Sequence, residues 1–219
     1  MTSEPLLEGV EQRWQRIRER ISSSGGTDAC ERITVVAVTK HHPAEVCQAA
    51  LDAGIVDLGE NYVVEALDKM KQVRGARWHF LGQLQTNKVA KLSGLVHLYQ
   101  SIDRDSLVDR LAVCDPGSHG LIQVNLSGQE HRGGVEMDSF ESLLDRCIDR
   151  GLIIRGVMGV GPLGVDAAQT ARAFEDLRSL MDRYGLEICS MGMSHDLEIA
   201  LECGSTMLRI GTDLVGQRN

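Results

Sequence analysis

Residues 33–40 read ITVVAVTK, a β-branched run that ends in Lys40. A short and almost wholly apolar run of this kind is typical of a strand buried on both faces, as in a parallel sheet. It follows a segment with apolar residues at helical spacing, Leu6 to Ser22, which ends at the serine- and glycine-rich residues 23–26. The sequence therefore predicts an N-terminal helix, followed by a buried strand that carries an amine at its carboxyl end.

Short apolar runs and longer amphipathic stretches continue to alternate along the rest of the chain. The predicted strands are Ile33–Thr39, Val56–Leu58, Trp78–Leu81, Val96–Gln100, Gly120–Asn125, Ile153–Met158, Glu187–Met191 and Thr206–Ile210. The predicted helices between them are Ala44–Ala53, Tyr62–Gln72, Gln85–Leu92, Asp105–Cys114, Ser139–Arg150 with Asp138 as its N-cap, Ala167–Tyr184 and Leu197–Cys203. Repeated strand-then-helix units indicate a parallel sheet. We therefore expect a small closed (β/α)8 TIM barrel with an extra N-terminal helix, and an open doubly wound sheet is the alternative.

The bulk composition is that of one ordinary globular domain. Hydrophobic residues make up 42% and charged residues 25% of the 219 residues, and no linker-like run divides them. We therefore expect a single domain over residues 1–219. The formal charge of -8 argues against a nucleic-acid partner, because phosphate backbones bind to basic surfaces.

Location and oligomeric state are also suggested by the composition. No apolar run approaches the roughly 20 residues of a membrane helix, and the N-terminus lacks the basic-then-apolar order of a signal peptide. These features predict a cytoplasmic protein without a membrane partner. An aromatic content of 4% and the lack of an apolar surface stripe favour a monomer. The cysteines are scattered singly without zinc-ligand spacing, so we expect reduced thiols and no metal site at Cys30, Cys47, Cys114, Cys147, Cys189 and Cys203.

Polar, glycine-containing segments follow nearly every predicted strand, and Lys40 begins the first of them. In a barrel of parallel strands, the functional site is built from such loops at the carboxyl ends of the strands. Partial removal from water favours the neutral form of an amine, and the neutral amine attacks an aldehyde carbon. Lys40 is therefore a candidate for forming a Schiff base, and a solvated lysine at a strand end is the alternative.

Two segments in the last part of the sequence suit an anion. Residues 190–196 read SMGMSHD and lead into a predicted helix, where small residues leave backbone N–H groups and the Ser194 hydroxyl open to a phosphate. Residues 207–212 read MLRIGT and end the last predicted strand in Gly-Thr. Phosphate sites of such barrels commonly use the loops after strands seven and eight. The alternative is purely structural, with Ser194 or Asp196 capping the helix.

Five motifs, spread in order over almost the whole chain, connect it to a known family. They are residues 36–40 (VAVTK), 59–63 (GENYV), 78–88 (WHFLGQLQTNK), 190–194 (SMGMS) and 209–212 (RIGT). Together they closely resemble the motifs of the pyridoxal phosphate homeostasis protein family. The resemblance implies a fold like the barrel half of alanine racemase, with pyridoxal 5′-phosphate (PLP) as the cofactor.

The resemblance also implies which residues surround PLP. The cofactor would form a Schiff base with Lys40, and its pyridine ring would lie near Arg209. The phosphate would be held by Ser194, Gly211 and Thr212, and the pocket would be lined by Asn61 and His79.

A cofactor carrier, rather than a committed enzyme, is the function that the resemblance implies. An arginine beside the pyridine nitrogen keeps that nitrogen unprotonated and weakens PLP as an electron sink. Racemases of this fold also take a catalytic tyrosine from a second domain, which we do not expect here because Thr212 lies seven residues before Asn219. We therefore expect a protein that binds PLP, maintains its intracellular pool and supplies PLP-dependent apoenzymes. Effects on amino-acid and keto-acid balance would be indirect.

Two enzymatic alternatives stay open. A PLP-dependent amino-acid racemase would need an acid–base partner opposite Lys40, and Tyr62 and His79 are the nearby loop residues available. An aldolase that works without PLP would use Lys40 on the carbonyl of a sugar phosphate. Both alternatives keep Lys40 as the reactive amine, so the placement of the other side chains decides between them.

Overall fold

Eight parallel strands form a closed barrel in the computed structural model, which describes residues 4–129 and 132–217. The strands are β1 (Thr34–Val38), β2 (Asp57–Glu60), β3 (Arg77–Phe80), β4 (Leu98–Ile102), β5 (His119–Val124), β6 (Ile153–Gly159), β7 (Ile188–Ser190) and β8 (Met207–Ile210). Each strand pairs with the next one in the sequence, and β8 pairs with β1. The predicted (β/α)8 barrel is confirmed, and the open-sheet alternative is wrong.

Helices surround the barrel between successive strands. Within the described ranges they are α1 (Glu4–Gly25), α2 (Ala29–Arg32), α3 (Ala44–Asp52), α4 (Val63–Gln72), α5 (Asp105–Cys114), α6 (Phe140–Asp149), α7 (Ala167–Arg183), α8 (Leu197–Glu202) and α9 (Thr212–Val215). The extra N-terminal helix is confirmed, and it continues three residues beyond the predicted end at Ser22. It packs against α3, α8 and α9, so it covers the part of the barrel where β8 meets β1.

One predicted helix has a different type in the structure. The α-helix expected over Gln85–Leu92 is a 3-10 helix over Thr86–Lys91. Its N–H groups pair three residues back, as the Lys88 N–H does with the Gln85 carbonyl. The amphipathic pattern of this segment is therefore satisfied by a tighter turn than the one predicted.

The start of α6 also differs from the prediction. The helix expected over Ser139–Arg150 begins at Phe140, after a 3-10 turn over Met137–Ser139. Asp138 lies inside that turn, and the residue at the N-cap position is Ser139. The assignment of Asp138 as the N-cap is therefore wrong, because the chain already turns before the α-helix starts.

Two strands lie further along the chain than predicted. The runs Val56–Leu58 and Val96–Gln100 begin one and two residues before β2 and β4. The N–H groups of Ile55 and Leu95 still pair back to the preceding helical segment. The apolar runs thus start while the chain is completing a turn, and the strand pairing starts later.

The inside of the barrel is divided between apolar and polar side chains. An inner apolar cluster is formed by Val36, Leu98, Leu121, Met158 and Met207. The larger apolar core lies between the sheet and the helices. Buried polar side chains from the strands complete the interior, namely Asp57, His79, Gln100, Ser190 and Arg209. Because buried polar groups need hydrogen-bond partners, we expect these five side chains to make specific contacts inside the barrel.

The cysteines are all free, as predicted. Cys47, Cys147 and Cys189 are buried, and burial raises the pKa of their thiols to about 11 for Cys47 and about 12 for the other two. These three thiols therefore pack as neutral groups at physiological pH. Of the helices described for residues 4–129 and 132–217, none has the length and apolar character needed to cross a membrane.

Candidate functional site

A cavity of about 450 Å³ lies at the carboxyl end of the barrel strands. Apolar parts of its wall come from Val38, Leu81, Met158 and Val160. Six of the seven residues predicted around the cofactor also lie in this wall: Lys40, Asn61, Ser194, Arg209, Gly211 and Thr212. A cavity of this volume suits a small organic ligand. The loop residues are thus brought together although they are spread over most of the sequence.

His79, the last of the seven residues predicted around the cofactor, was expected to line the pocket. The structure places it one layer deeper in the barrel. Its ring is buried inside the barrel, where Nε2 lies 2.9 Å from Asp57 Oδ1 and Nδ1 lies 2.9 Å from Gln100 Nε2. Side chains two residues apart on a strand share a face, and Leu81, which directly follows β3, reaches the cavity. His79 therefore contacts the interior network and does not line the cavity.

A buried ion pair holds the backbone that precedes Lys40. Lys69 Nζ, on α4, lies 2.6 Å from Glu60 Oε1 and donates to the Thr39 carbonyl at 2.7 Å. Thr39 Oγ1 donates to the same Glu60 oxygen at 2.6 Å. Burial raises the pKa of Glu60, and the hydrogen bonds from Lys69 and Thr39 offset part of this effect. Charged groups of β2 and α4 thus fix the strand end that carries Lys40.

The residue after Lys40 has an unusual backbone conformation. His41 has a φ of 63°, in the left-handed region that residues other than glycine rarely adopt. Its N–H donates to Glu65 Oε2 at 2.7 Å, and its Nδ1 lies 3.2 Å from Glu65 Oε1. Glu65 is in turn 3.6 Å from Lys69. The turn that directs Lys40 into the cavity wall is therefore held on both sides by one cluster of charges.

The two segments predicted to hold a phosphate lie side by side. β7 pairs with β8, and the loops after these strands bring Ser194, Gly211 and Thr212 into the same wall. Asp196 occupies the N-cap position of α8, but its side chain does not cap the helix. Its Oδ1 instead accepts the Met193 N–H at 2.6 Å, within the loop. The structural alternative, in which a Ser194 or Asp196 side chain caps α8, is therefore wrong.

The N-terminal helix takes part in the same region through Arg20. Its Nη2 donates to the Ser194 carbonyl at 2.7 Å, and its Nε donates to Glu198 at 2.7 Å. Its Nη1 lies 3.2 Å from Asp213 Oδ2. Arg20 thus ties the loop after β7 to α9, the short helix that follows β8. No local sequence pattern separates Arg20 from the other arginines of α1, so this role could not be predicted from the sequence.

Arg209 lies between the cavity and the barrel interior and is almost fully buried. Its Nη1 donates to Ser190 Oγ at 2.7 Å, and its Nη2 donates to the Gly159 carbonyl at 2.7 Å. Burial lowers the pKa of Arg209 to about 10. The guanidinium therefore remains charged at neutral pH and presents an oriented donor to the cavity.

Asn61 has unused hydrogen-bonding capacity at the cavity wall. Its Oδ1 is buried and finds no hydrogen-bond partner among the described residues. A buried acceptor in this state is costly, and a ligand that donates to it removes the cost. Tyr62, the next residue, is 48% exposed and lines an adjoining cavity of about 700 Å³, whose wall also includes Asn61 and Lys88. Of these two neighbours, only Asn61 belongs to the wall around Lys40.

The fold and the site together define a class of protein. The family model described as "Alanine racemase, N-terminal domain" matches residues 7–219. Alanine racemase from Clostridium difficile 630 has a similar barrel, with a TM-score of 0.78 and 12% identity over 94% of this chain and 56% of that enzyme. The chain is therefore a barrel of the class found as the N-terminal domain of alanine racemase.

Nearer relatives place it within that class. A protein of Aquifex aeolicus named "Pyridoxal phosphate homeostasis protein" is 35% identical over 217 residues, which cover 93% of this chain and 94% of the relative. PipY of Synechococcus elongatus PCC7942, whose structure was solved with PLP bound, is 29% identical with a TM-score of 0.81, over 94% of this chain and 100% of PipY. This chain belongs to the pyridoxal phosphate homeostasis protein family, as the sequence motifs predict.

Proposed function

We propose that this protein binds PLP at the mouth of the barrel, as a Schiff base on Lys40, and maintains the intracellular PLP pool as a carrier. One observation carries the proposal: a lysine amine and two predicted phosphate-binding loops share one cavity. Lys40 is the only lysine among the described residues that line it. PLP bound to PipY, and the name of the Aquifex relative, support the same role.

The cavity residues fit the chemical groups of PLP. An aldehyde needs an amine, which Lys40 supplies, and a phosphate needs anion-binding donors, which the loops after β7 and β8 supply. Arg209 offers a charged donor to the ring nitrogen, and the unpartnered Asn61 Oδ1 offers an acceptor. When bound, PLP supplies an aldehyde that reacts with amines and a ring that withdraws electrons.

The surroundings of Lys40 favour a carrier over a racemase. The residues nominated as acid–base partners do not line the cavity around Lys40, because Tyr62 lines the adjoining cavity and His79 is enclosed by Asp57 and Gln100. Arg209 in place of an acidic partner would weaken PLP as an electron sink. We therefore propose binding of PLP and its delivery to PLP-dependent apoenzymes, without robust turnover. Changes in amino-acid and keto-acid balance then follow from the supply of cofactor.

We also propose that residues 1–219 act as one PLP-binding domain, monomeric and cytoplasmic. The eight strands close on themselves, so no sheet edge in the described part of the chain is free to pair with a second copy. The enzymes that would receive the cofactor work inside the cell. Sedimentation of the purified protein is expected to give the mass of a single chain, 24.0 kDa.

Borohydride reduction followed by peptide mapping tests the proposed function. We expect PLP to produce a visible absorbance band with the wild-type protein, and we expect reduction to fix a pyridoxyl group on Lys40. Lys88, which lines the neighbouring cavity, is the internal control and is expected to stay unmodified at stoichiometric PLP. A pyridoxyl group on another lysine, with Lys40 unmodified, would contradict the proposal.

Arg20→Met is expected to weaken PLP binding roughly fivefold, because the half-exposed arginine joins the two phosphate loops through charge-assisted hydrogen bonds. Binding of pyridoxal, which has no phosphate, is expected to change little. Fluorescence titration with both ligands measures the difference. Arg18→Met, an exposed arginine of the same helix, is the control, and an equal loss with both ligands would rule out a role at the phosphate.

A further inference from the structure

A chain of hydrogen bonds crosses the inside of the barrel and ends on Arg209. Ser190 Oγ accepts from Arg209 Nη1 at 2.7 Å and donates to Gln100 Oε1 at 2.8 Å. Gln100 Nε2 lies 2.9 Å from His79 Nδ1, and His79 Nε2 lies 2.9 Å from Asp57 Oδ1. These five residues come from β8, β7, β4, β3 and β2, and all of them are buried. The chain therefore links five strands to a residue of the cavity wall.

In this chain of hydrogen bonds, every donor points from Arg209 towards Asp57. An amide nitrogen only donates, so His79 Nδ1 accepts from Gln100, and the ring proton lies on Nε2 and is donated to Asp57. Burial alone would raise the pKa of Asp57, but the bonds from His79 and Arg77 lower it. Asp57 is therefore an ionised acceptor at the far end. Hydrogen bonds aligned in this way polarise and strengthen one another.

We infer that His79 is a positioning residue for the cofactor, which acts through Gln100 and Ser190 to fix the guanidinium of Arg209. This inference rests on the proposed function. Two guanidinium donors are already occupied, Nη1 by Ser190 and Nη2 by the Gly159 carbonyl, and two bonds fix the plane of the group. The Arg209 side chain lines the cavity, so its plane decides how its other N–H groups meet a bound ring.

Orientation matters here because hydrogen bonds weaken steeply when the donor is misaligned. The ring nitrogen of PLP has one lone pair, which lies in the plane of the ring. Removal of Ser190 leaves Arg209 with the Gly159 bond alone. Removal of His79 takes away the acceptor that orients the Gln100 amide, so Gln100 and Ser190 hold the guanidinium less firmly. His79 thus controls how strongly the ring nitrogen is held, although the histidine itself does not line the cavity.

Two substitutions cut the chain at different points, Ser190→Ala and His79→Phe. Binding is measured for PLP and for its analogue in which CH replaces the ring nitrogen. The wild-type protein is expected to bind PLP roughly tenfold more tightly than the analogue, because a hydrogen bond from a charged donor is lost. Each variant is expected to lose most of this preference. The double variant is expected to lose no more than either single one, because both act along one path.

The controls separate positioning from stability. Tyr99→Phe removes a buried hydroxyl of β4 that donates to Asp115 and takes no part in the chain of hydrogen bonds. This variant is expected to keep the full preference for PLP. His79→Asn keeps an acceptor near the position of Nδ1 and is expected to restore part of the preference. If His79→Phe does not fold, Ser190→Ala, which lacks one oxygen atom, carries the test.

The outcomes distinguish the inference from the function on which it rests. A preference that survives unchanged in Ser190→Ala overturns the inference, and so does a loss of affinity that is equal for both ligands. A wild-type protein that binds neither ligand overturns the proposed function instead. A preference lost in both single variants, without a further loss in the double variant, supports the positioning role.

Discussion

Replacing Lys40 with alanine is expected to abolish the absorbance band of the protein-bound aldimine at stoichiometric PLP. The band requires a covalent bond to an amine, and no other lysine among the described residues lines the cavity. Binding without a covalent bond is expected to persist at lower affinity, because the phosphate loops and the charged Arg209 are unchanged. Absorbance titration measures the first effect, and equilibrium dialysis measures the second.

The matched control for this variant is Lys88→Ala. Lys88 lines the neighbouring cavity of about 700 Å³, so its removal is expected to leave the band and the affinity unchanged. If the Lys40→Ala protein kept the band, the Schiff base would have to lie on another lysine. Such a result would contradict the role of Lys40 but would leave the proposed role of the loops after β7 and β8 untouched.

Lys69→Met is expected to lower the free energy of unfolding by about 3–5 kcal/mol. Glu60 is fully buried, and Lys69 Nζ lies 2.6 Å from its Oε1. The other carboxylate oxygen already has no hydrogen-bond partner among the described residues, so the variant leaves Glu60 with the Thr39 hydroxyl. The Thr39 carbonyl also loses its donor, and we expect weaker PLP binding as a second effect. Urea unfolding measures the change in stability.

The loss in Lys69→Met is expected to depend on pH. Burial already raises the pKa of Glu60 in the wild-type protein, and the loss of Lys69 raises it further. A carboxyl pKa raised in the folded state means that the folded chain keeps a proton that the unfolded chain releases. The stability that comes from protonated Glu60 is fully present below the pKa of the unfolded chain. It is lost as the pH rises through the pKa of Glu60 in the folded chain. The gap between variant and wild type is therefore expected to be smaller at pH 5 than at pH 8.

Lys71→Met provides the control, because Lys71 is an exposed lysine of the same helix. Its effect on the free energy of unfolding is expected to stay within about 0.5 kcal/mol at both pH values. A Lys69→Met variant that lost equal stability at pH 5 and pH 8 would show that Glu60 is not the group left uncompensated. The energetic account of the buried pair would then be wrong.

The barrel could be predicted from the sequence because its strands are short apolar runs with amphipathic stretches between them. The number of strands and the length of the chain favour a closed barrel, but the same pattern also fits an open doubly wound sheet. Strand limits were less predictable, since the Val96–Gln100 run begins before the chain has left the preceding turn. The choice between an α-helix and a 3-10 helix over Thr86–Lys91 also has no signature in the apolar pattern.

The cavity wall was predictable to the extent that its residues stand at strand ends. Lys40 and the loops after β7 and β8 occupy such positions, and parallel strands gather their ends at one mouth. The position of His79 was harder to predict. The alternation of side chains along a strand indicates which face a residue lies on, but not how far below the mouth of the barrel it lies. Arg20 and Lys69 had no local signal, since they bond to Ser194 and Thr39 across 174 and 30 residues.

The contacts of Arg20 join residues that are far apart in the sequence, and this affects when during synthesis the cofactor site is complete. It bonds to Ser194 and Asp213, which lie 174 and 193 residues later in the chain. The Arg20 contacts therefore form only after the segment that follows β8 has been made, whereas the packing of α1 against α3 needs only a short part of the chain. A nascent chain that ends before β8 has only one of the two loops proposed to hold the phosphate, and it has no closed barrel around that loop. If PLP binds as proposed, we expect it to bind the finished barrel and, by mass action, to stabilise that state over partly synthesised ones.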